Sequence, residues 1–390
     1  MAPPTSAELA ATATKIQQYR LLTSVAFKHR AARTVSRDAL ELAGKLLAST
    51  PDVYTLWNYV REIIVGMEGE LDDGSLRSLV EAQLALTSAA LKRSPKSYPA
   101  WHARRWLVER YRCGRPGAAA PAEPPYILLQ SELALCSVLL AEDERNFHCW
   151  NYRRWVAAAG GGGDGGAASA AELAFTGACI SKNFSNYSAW HARSHLLQAG
   201  GVGAGVVAEG ACAARVATPA APPVVSPRSP ACSPHHAPAE LKLVRAAVFT
   251  EPDDQSAWIY RRWVVDCAGA LLRRGGEEAA AAAAALEEDV AELAALEAAE
   301  PSCKWPVEAR ARTLGALLAW GRGAGAGAGA GADAGADADA RALASLYGKL
   351  EALDPRHAQY WRHALAQCTS PPPRAVLAAR AGAVRQQQQE

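Results

Sequence analysis

Glu144-Arg145-Asn146-Phe147-His148-Cys149-Trp150-Asn151-Tyr152-Arg153-Arg154-Trp155 decides how this 390-residue chain is read. It sets a polar residue, an aromatic, two small or polar residues, Trp, two further residues, Arg, and a second Trp. The order returns as Ser97-Tyr98-Pro99-Ala100-Trp101-His102-Ala103-Arg104-Arg105-Trp106 and as Asn186-Tyr187-Ser188-Ala189-Trp190-His191-Ala192-Arg193. It returns again as Asp254-Gln255-Ser256-Ala257-Trp258-Ile259-Tyr260-Arg261-Arg262-Trp263. A weaker copy, Val53-Tyr54-Thr55-Leu56-Trp57-Asn58-Tyr59-Val60-Arg61, comes first. Trp57, Trp101, Trp150 and Trp190 are separated by 44, 49 and 40 residues, and the step of 68 to Trp258 contains an insertion. Periods of this length imply one helix pair per repeat, each unable to bury its apolar face alone. The expected fold is all-α, a solenoid of helical hairpins.

Within a copy, Phe147, Trp150 and Arg154 fall at i, i+3 and i+7, one helical face. The aromatics are therefore expected in the core, with Trp57, Trp101, Trp150, Trp190 and Trp258 filling the joints between hairpins. The arginines three residues after four of these anchors, Arg104, Arg153, Arg193 and Arg261, leave two readings open. Each satisfies a neighbouring repeat's carbonyls or lines a charged inner surface. Ten of the eleven Trp lie in or beside the motifs, so the large apolar volume is concentrated at the joints.

A net charge of +2 argues against nonspecific nucleic-acid binding, which needs a strongly basic face. Nine Cys occur without a CxxC pair, excluding a zinc ribbon or a thioredoxin-like site and suiting a reduced interior. No apolar run approaches the ~20 residues of a membrane span, and the N-terminus has no signal segment. The expected location is cytoplasmic.

Read in order, residues 1–14 are expected to be disordered and 15–197 to form helical repeats one to four. Residues 198–238, rich in Pro, Gly and Ala, read as a disordered insertion. Repeats five and six follow over 239–320, a Gly/Ala/Asp linker over 321–340, a last repeat over 341–368 and a flexible tail over 369–390. Five joints share one punctuation, Thr50-Pro51, Ser94-Pro95, Glu251-Pro252, Glu300-Pro301 and Asp354-Pro355. Proline cannot continue the first helix, and its fixed φ suits the start of the next.

No complete active site is legible. His191 and His195 stand at i, i+4, a spacing able to hold zinc, but no third ligand lies near them in sequence. His191 shares its slot with His102, so the pair reads as structural. There is no GxGxxG, no GxxxxGK[ST] and no Ser nucleophile elbow.

The Trp-x-x-Arg hairpin resembles the repeat of the protein prenyltransferase α-subunit family. The resemblance is carried by Pro95-Lys96-Ser97-Tyr98 with Trp101-His102, Asp143–Trp150, Glu172-Leu173-Ala174-Phe175-Thr176, Asn183–Trp190 and Asp254–Trp258. It is extended by Pro51–Trp57, Glu300–Trp305 and Leu353–Tyr360, and spans about 15–365. Asp143–Trp150 and Asn183–Trp190 are similar in detail to the type II (Rab) branch.

The resemblance implies a right-handed helical-hairpin crescent that wraps a prenyltransferase β subunit as a heterodimer. It implies zinc and the isoprenoid pocket in that β subunit, with no cofactor or metal in this chain. The implied reaction transfers geranylgeranyl from geranylgeranyl diphosphate to C-terminal cysteines of Rab GTPases presented by Rab escort protein. Lys96 matches the family lysine that reaches the diphosphate and assists. Phe147 stands where the farnesyl enzyme has an assisting Tyr, which argues against the alternative, the α subunit shared by farnesyltransferase and the type I geranylgeranyl enzyme. A non-enzymatic repeat protein for interactions is the other alternative, and Lys96 in its family context argues against it. Neither the immunoglobulin-like insert nor the leucine-rich domain of animal type II subunits is recognisable, so the shorter architecture of plants, algae and fungi is expected.

Overall fold

A computed structural model describes residues 5–118, 121–122, 124–160, 165–199, 237–321 and 330–369. The described residues are helices and turns with no strand. In order they are α1 (Ser6–Ala31), α2 (Arg37–Ser49), α3 (Tyr54–Met67), α4 (Asp73–Arg93), α5 (Tyr98–Tyr111), α6 (Leu129–Glu142) and α7 (Phe147–Gly160). Then come α8 (Gly165–Lys182), α9 (Tyr187–Ala199), α10 (Ala237–Thr250), α11 (Gln255–Arg274), α12 (Glu277–Ala299), α13 (Lys304–Gly321), α14 (Ala330–Leu353) and α15 (Ala358–Thr369). Two compact units divide the chain. Among the described residues the first runs to Glu172 and the second begins at Leu173.

In the first unit α2 packs on α3, α4 on α5 and α6 on α7, with α3, α5 and α7 touching in series. In the second, α10, α12 and α14 pack on α11, α13 and α15 in the same way. Each hairpin turns within four residues. The turn closes by one backbone bond, as from Ser97 N to Ser94 O, Asn146 N to Asp143 O and Cys303 N to Glu300 O.

The anchor tryptophans are buried, from 1% exposed at Trp190 to 5% at Trp101, Trp150 and Trp258. The reason for Trp rather than Phe is polar. Each indole Nε1 donates to the carbonyl six residues earlier: Trp57 to Pro51, Trp101 to Pro95, Trp150 to Glu144, Trp190 to Phe184 and Trp258 to Pro252, all at 2.7–2.9 Å. A buried carbonyl left open would cost about 1–3 kcal/mol, and the ring fills the joint while closing it. The turn carbonyl's second lone pair serves the next repeat. Pro51 O also accepts from Ser97 Oγ at 3.2 Å and Pro95 O from Asn146 Nδ2 at 2.9 Å. The ring itself meets the next hairpin, Trp101 against Tyr152 at 5.2 Å between centroids and Trp190 against Tyr260 at 4.7 Å.

Four features differ from the sequence reading. Helix α1 starts at Ser6, inside the stretch 1–14 expected to be disordered, because Thr5 and Glu8 form a reciprocal capping box ahead of an Ala-rich run. Helix α14 starts at Ala330, inside the expected 321–340 linker; alanine there outweighs the interspersed glycines, and 322–329 lie outside the described residues. The aromatic Phe147 is not core but 60% exposed. It is the first residue of α7. The expected insertion 198–238 keeps helix at both ends, to Ala199 and from Ala237; 200–236, like 370–390 of the expected tail, lie outside the described residues.

Candidate functional site

Two sets of side chains recur on the second helices of the hairpins, one turned inward and one outward. The inward set begins with the motif arginine. Arg104 on α5 donates through Nε and Nη2 to both oxygens of Glu132 on α6, at 2.6 and 2.8 Å. Its Nη1 reaches back to α4, donating to Leu84 O at 3.0 Å, Thr87 Oγ1 at 2.9 Å and Ser88 Oγ at 2.8 Å. Tyr152 on α7 adds its hydroxyl to Glu132 at 2.7 Å. One guanidinium thus ties two hairpins together.

Arg153 repeats the arrangement with Glu172 at 2.6 and 2.8 Å, Leu133 O at 3.1 Å and Ser137 Oγ at 2.9 Å. In the second unit Arg193 pairs with Glu240 at 2.7 Å through both branches and with Leu173 O at 2.7 Å, while Tyr260 donates to Glu240. Arg261 pairs with Asp289 and donates to Thr313 Oγ1 at 2.8 Å. Of the two open readings, a neighbouring repeat's carbonyl is reached by Arg261, at Ala309 O, while Arg104, Arg153 and Arg193 satisfy carbonyls of their own hairpins. All four charges meet a buried carboxylate of the next repeat and not an inner surface open to solvent. Burial works against the Arg104 cation, yet its pairing with Glu132 raises its pKa on balance. At fully buried Arg261 desolvation dominates and the pKa falls.

The carboxylates carry a regular signal in the sequence, visible only when they are counted back from the next anchor. Glu132, Glu172 and Glu240 each stand eighteen residues before the next anchor, Trp150, Trp190 and Trp258. Asp289 stands eighteen before Val307, the anchor slot six residues after Pro301. Where the first copy has Val60 instead of Arg, the residue eighteen before Trp101 is the amide Gln83, and its Oε1 is buried without a partner. Across these five joints charge is present on both sides or on neither. At the next, Arg310 stands three residues after Val307, the slot eighteen before Trp361 is Leu343, and the arginine pairs with Glu297 instead.

The outward set surrounds Lys96 in the first unit. The Ser94–Ser97 turn holds Lys96 clear of both helices, with its side chain 72% exposed and Nζ 3.4 Å from Asp143 Oδ2 at the next turn. Tyr98, two residues on, is 64% exposed. It stacks on His102 at 6.3 Å between centroids and meets His148 edge-on at 5.9 Å. Phe147 lies 3.9 Å from the His148 ring, and Tyr54 tilts towards His102 at 6.4 Å. Arg61 Nη2 donates to His102 Nδ1 at 2.7 Å, which fixes the neutral tautomer with its proton on Nε2. Burial, aided by Arg61, lowers the pKa of His102; burial, aided by Lys96, lowers that of His148. An ammonium, a guanidinium, two neutral imidazoles and three exposed aromatic rings thus share one surface, suited to an anion beside an apolar partner. Among the described residues no group of three or more His, Cys, Asp or Glu could hold a metal ion, and no helix is long and apolar enough to cross a membrane.

The model of the protein prenyltransferase alpha subunit repeat matches at residues 80–111, 129–159, 169–200 and 237–268. Each match takes in one first helix, one second helix and their turn. Over 251 residues the chain is 37% identical to the geranylgeranyl transferase type-2 subunit alpha of Mus musculus and 36% identical to that of Homo sapiens. Those alignments cover 64% of this chain and 38% of either relative, so it spans well under half of their length. A shorter match, 32% over 103 residues, is to the type-2 subunit alpha 2 of Arabidopsis thaliana, covering 25% of this chain and 15% of that protein. Among solved structures, the Candida albicans protein geranylgeranyltransferase-I complexed with GGPP aligns over 90% of this chain and 91% of its own, with a TM-score of 0.56 and 16% identity. That likeness concerns the fold, an all-α array of helical hairpins.

Proposed function

We propose, for a chain of the protein prenyltransferase alpha-subunit family, that it serves as the α subunit of Rab geranylgeranyltransferase. In this reading it supports a β subunit that transfers geranylgeranyl from its diphosphate to C-terminal cysteines of Rab GTPases brought by an escort protein, in the cytoplasm. The β subunit supplies the zinc and the isoprenoid pocket. The single observation that carries the reading is the exposed cluster around Lys96, an anion-favouring patch ringed by Tyr54, Tyr98 and Phe147. Large exposed rings on a turn-and-helix edge suit burial by a partner.

The chemistry asked of Lys96 is modest. As the carbon–oxygen bond of the diphosphate breaks, negative charge grows on the leaving group. An ammonium near that oxygen stabilises the transition state more than the ground state. Asp143, 3.4 Å away, is a partner that Lys96 can leave without a large loss, since exposed ion pairs are worth ~0–1 kcal/mol. Phe147 offers a ring and no hydroxyl beside this lysine, so the reaction would lean on the lysine and the β subunit.

The test is co-expression with candidate β subunits, followed by a prenylation assay with a Rab protein and its escort protein. A stable αβ complex that geranylgeranylates Rab only in the escort's presence is expected. A chain that captures no β subunit, or a complex that prenylates short CaaX peptides and ignores Rab, would overturn the reading.

A further inference from the structure

The second unit holds one departure from the repeat that the α-subunit reading does not use. Five residues after the anchor the motif places a second tryptophan, Trp106, Trp155 and Trp263, but after Trp190 that place is His195. One residue after the same anchors stand His102, Asn151, Ile259 and, after Trp190, His191. Helix α9 therefore carries histidine at both places, where the other three carry at most one.

The two rings share a face of α9, His191 exposed and His195 half-buried. Their Nε2 atoms approach to 3.2 Å with the ring planes at 79°. Tyr187, one turn earlier, stacks on His191 at 6.1 Å and steadies that ring. Two imidazole nitrogens bound to one ion at ~2.0–2.1 Å stand roughly 2.9–3.4 Å apart between square and tetrahedral angles, so the pair already has a chelating bite. As it stands the contact holds one proton, donated by one Nε2 and accepted by the other. A divalent cation takes that proton's place and both nitrogens become donors to the metal, while the displaced proton passes through solvent to the donor ring's Nδ1, so that both imidazoles stay neutral.

We propose that His191 and His195 form a two-histidine chelate for an exchangeable divalent transition-metal ion, with water completing its coordination. Imidazole selects copper, nickel, cobalt or zinc over calcium and magnesium, and affinity should follow the Irving–Williams order with Cu2+ tightest. The proposal stands apart from the zinc of the β subunit and does not depend on it.

The test uses the full chain without an affinity tag, stripped by a chelator and titrated with CuCl2 by calorimetry and visible absorption. One equivalent is expected near neutral pH, released on acidification as the imidazoles take up protons. His191→Ala and His195→Trp should each weaken it more than about tenfold, since outer-shell changes alone cost that much. His195→Trp restores the repeat's own residue and so keeps the fold, checked by circular dichroism. His363→Ala, on the exposed face of α15, should change nothing. Uptake of no equivalent by the wild type, or its retention by both variants, would overturn the proposal, the latter because the ion then sits elsewhere.

Discussion

On α5, Trp101 and Arg104 turn inward to Pro95 O and Glu132, while Tyr98 and His102 stand outward beside Lys96. On α7 the same division sets Trp150 and Arg153 against Phe147 and His148. The inward side chains have no open polar valence to offer: rings close carbonyls and guanidiniums close carboxylates. Of the outward ones, Tyr98 and Phe147 are exposed to solvent and His102 is held by Arg61. One helix thus carries stability on one face and an exposed surface on the other, and substitutions on the two faces should fail in different ways.

The largest effect should come from breaking an inward pair on one side only. Arg153→Met strands Glu172 in the joint and should cost roughly 3–5 kcal/mol, a large part of the ~5–15 kcal/mol that holds a typical protein folded. Denaturant unfolding measures it, and adding Glu172→Leu should recover most of the loss. A double variant as unstable as the single one would mean the joint needs its charges. Next in size is Trp101→Phe, which keeps the ring but leaves Pro95 O with only its bond from Asn146. A loss of about 1–3 kcal/mol in the same assay is expected, and an unchanged stability would reduce the indole to bulk.

Smaller still is Gln83→Leu in the joint that lacks the pair. The amide oxygen is buried and unpartnered there, so a leucine should leave stability unchanged or raise it by up to ~1 kcal/mol. A marked loss would show that Gln83 has a use in its joint. The smallest effect belongs to the outward face and to pH. His102 titrates below its ordinary value near 6.5. The unfolded chain therefore binds its proton more readily, and stability is lost as the pH falls from that ordinary value through the depressed folded one. Thermal melts between about pH 7.5 and 5 should show this slope for the wild type and less of it for His102→Gln. Equal slopes would place the titration elsewhere.

The repeat, its hairpins and the burial of its tryptophans were legible because a Trp every 40–49 residues is a strong signal. The inward carboxylates were not read, since single Glu residues in apolar helices look like solvated surface until they are counted back from the next anchor. Phe147 is not core because helical phase does not say how far the packed face extends towards a helix's first residue. Lys96 was picked from its Pro-Lys-Ser-Tyr context, but nothing in the sequence gathers Arg61, His102 and His148 around it; 41 and 46 residues separate these neighbours along the chain. The capping box at Thr5 and Glu8 is legible as T-x-x-E, a local signal that outweighs the small, polar composition around it.

The division of labour between the two faces is tested most directly at Lys96, in the proposed αβ complex supplied with Rab and its escort protein. One charge-assisted hydrogen bond is worth about 1.5–3 kcal/mol, hence roughly ten- to a hundredfold in rate. Lys96→Ala should slow single-turnover geranylgeranyl transfer by that factor while melting temperature and αβ assembly stay as in the wild type. Lys96→Arg should recover only part, because a planar fork cannot set its charge where a compact ammonium sits. An alanine variant that assembles, melts and transfers like the wild type would contradict the account and leave the outward face without a part in the chemistry.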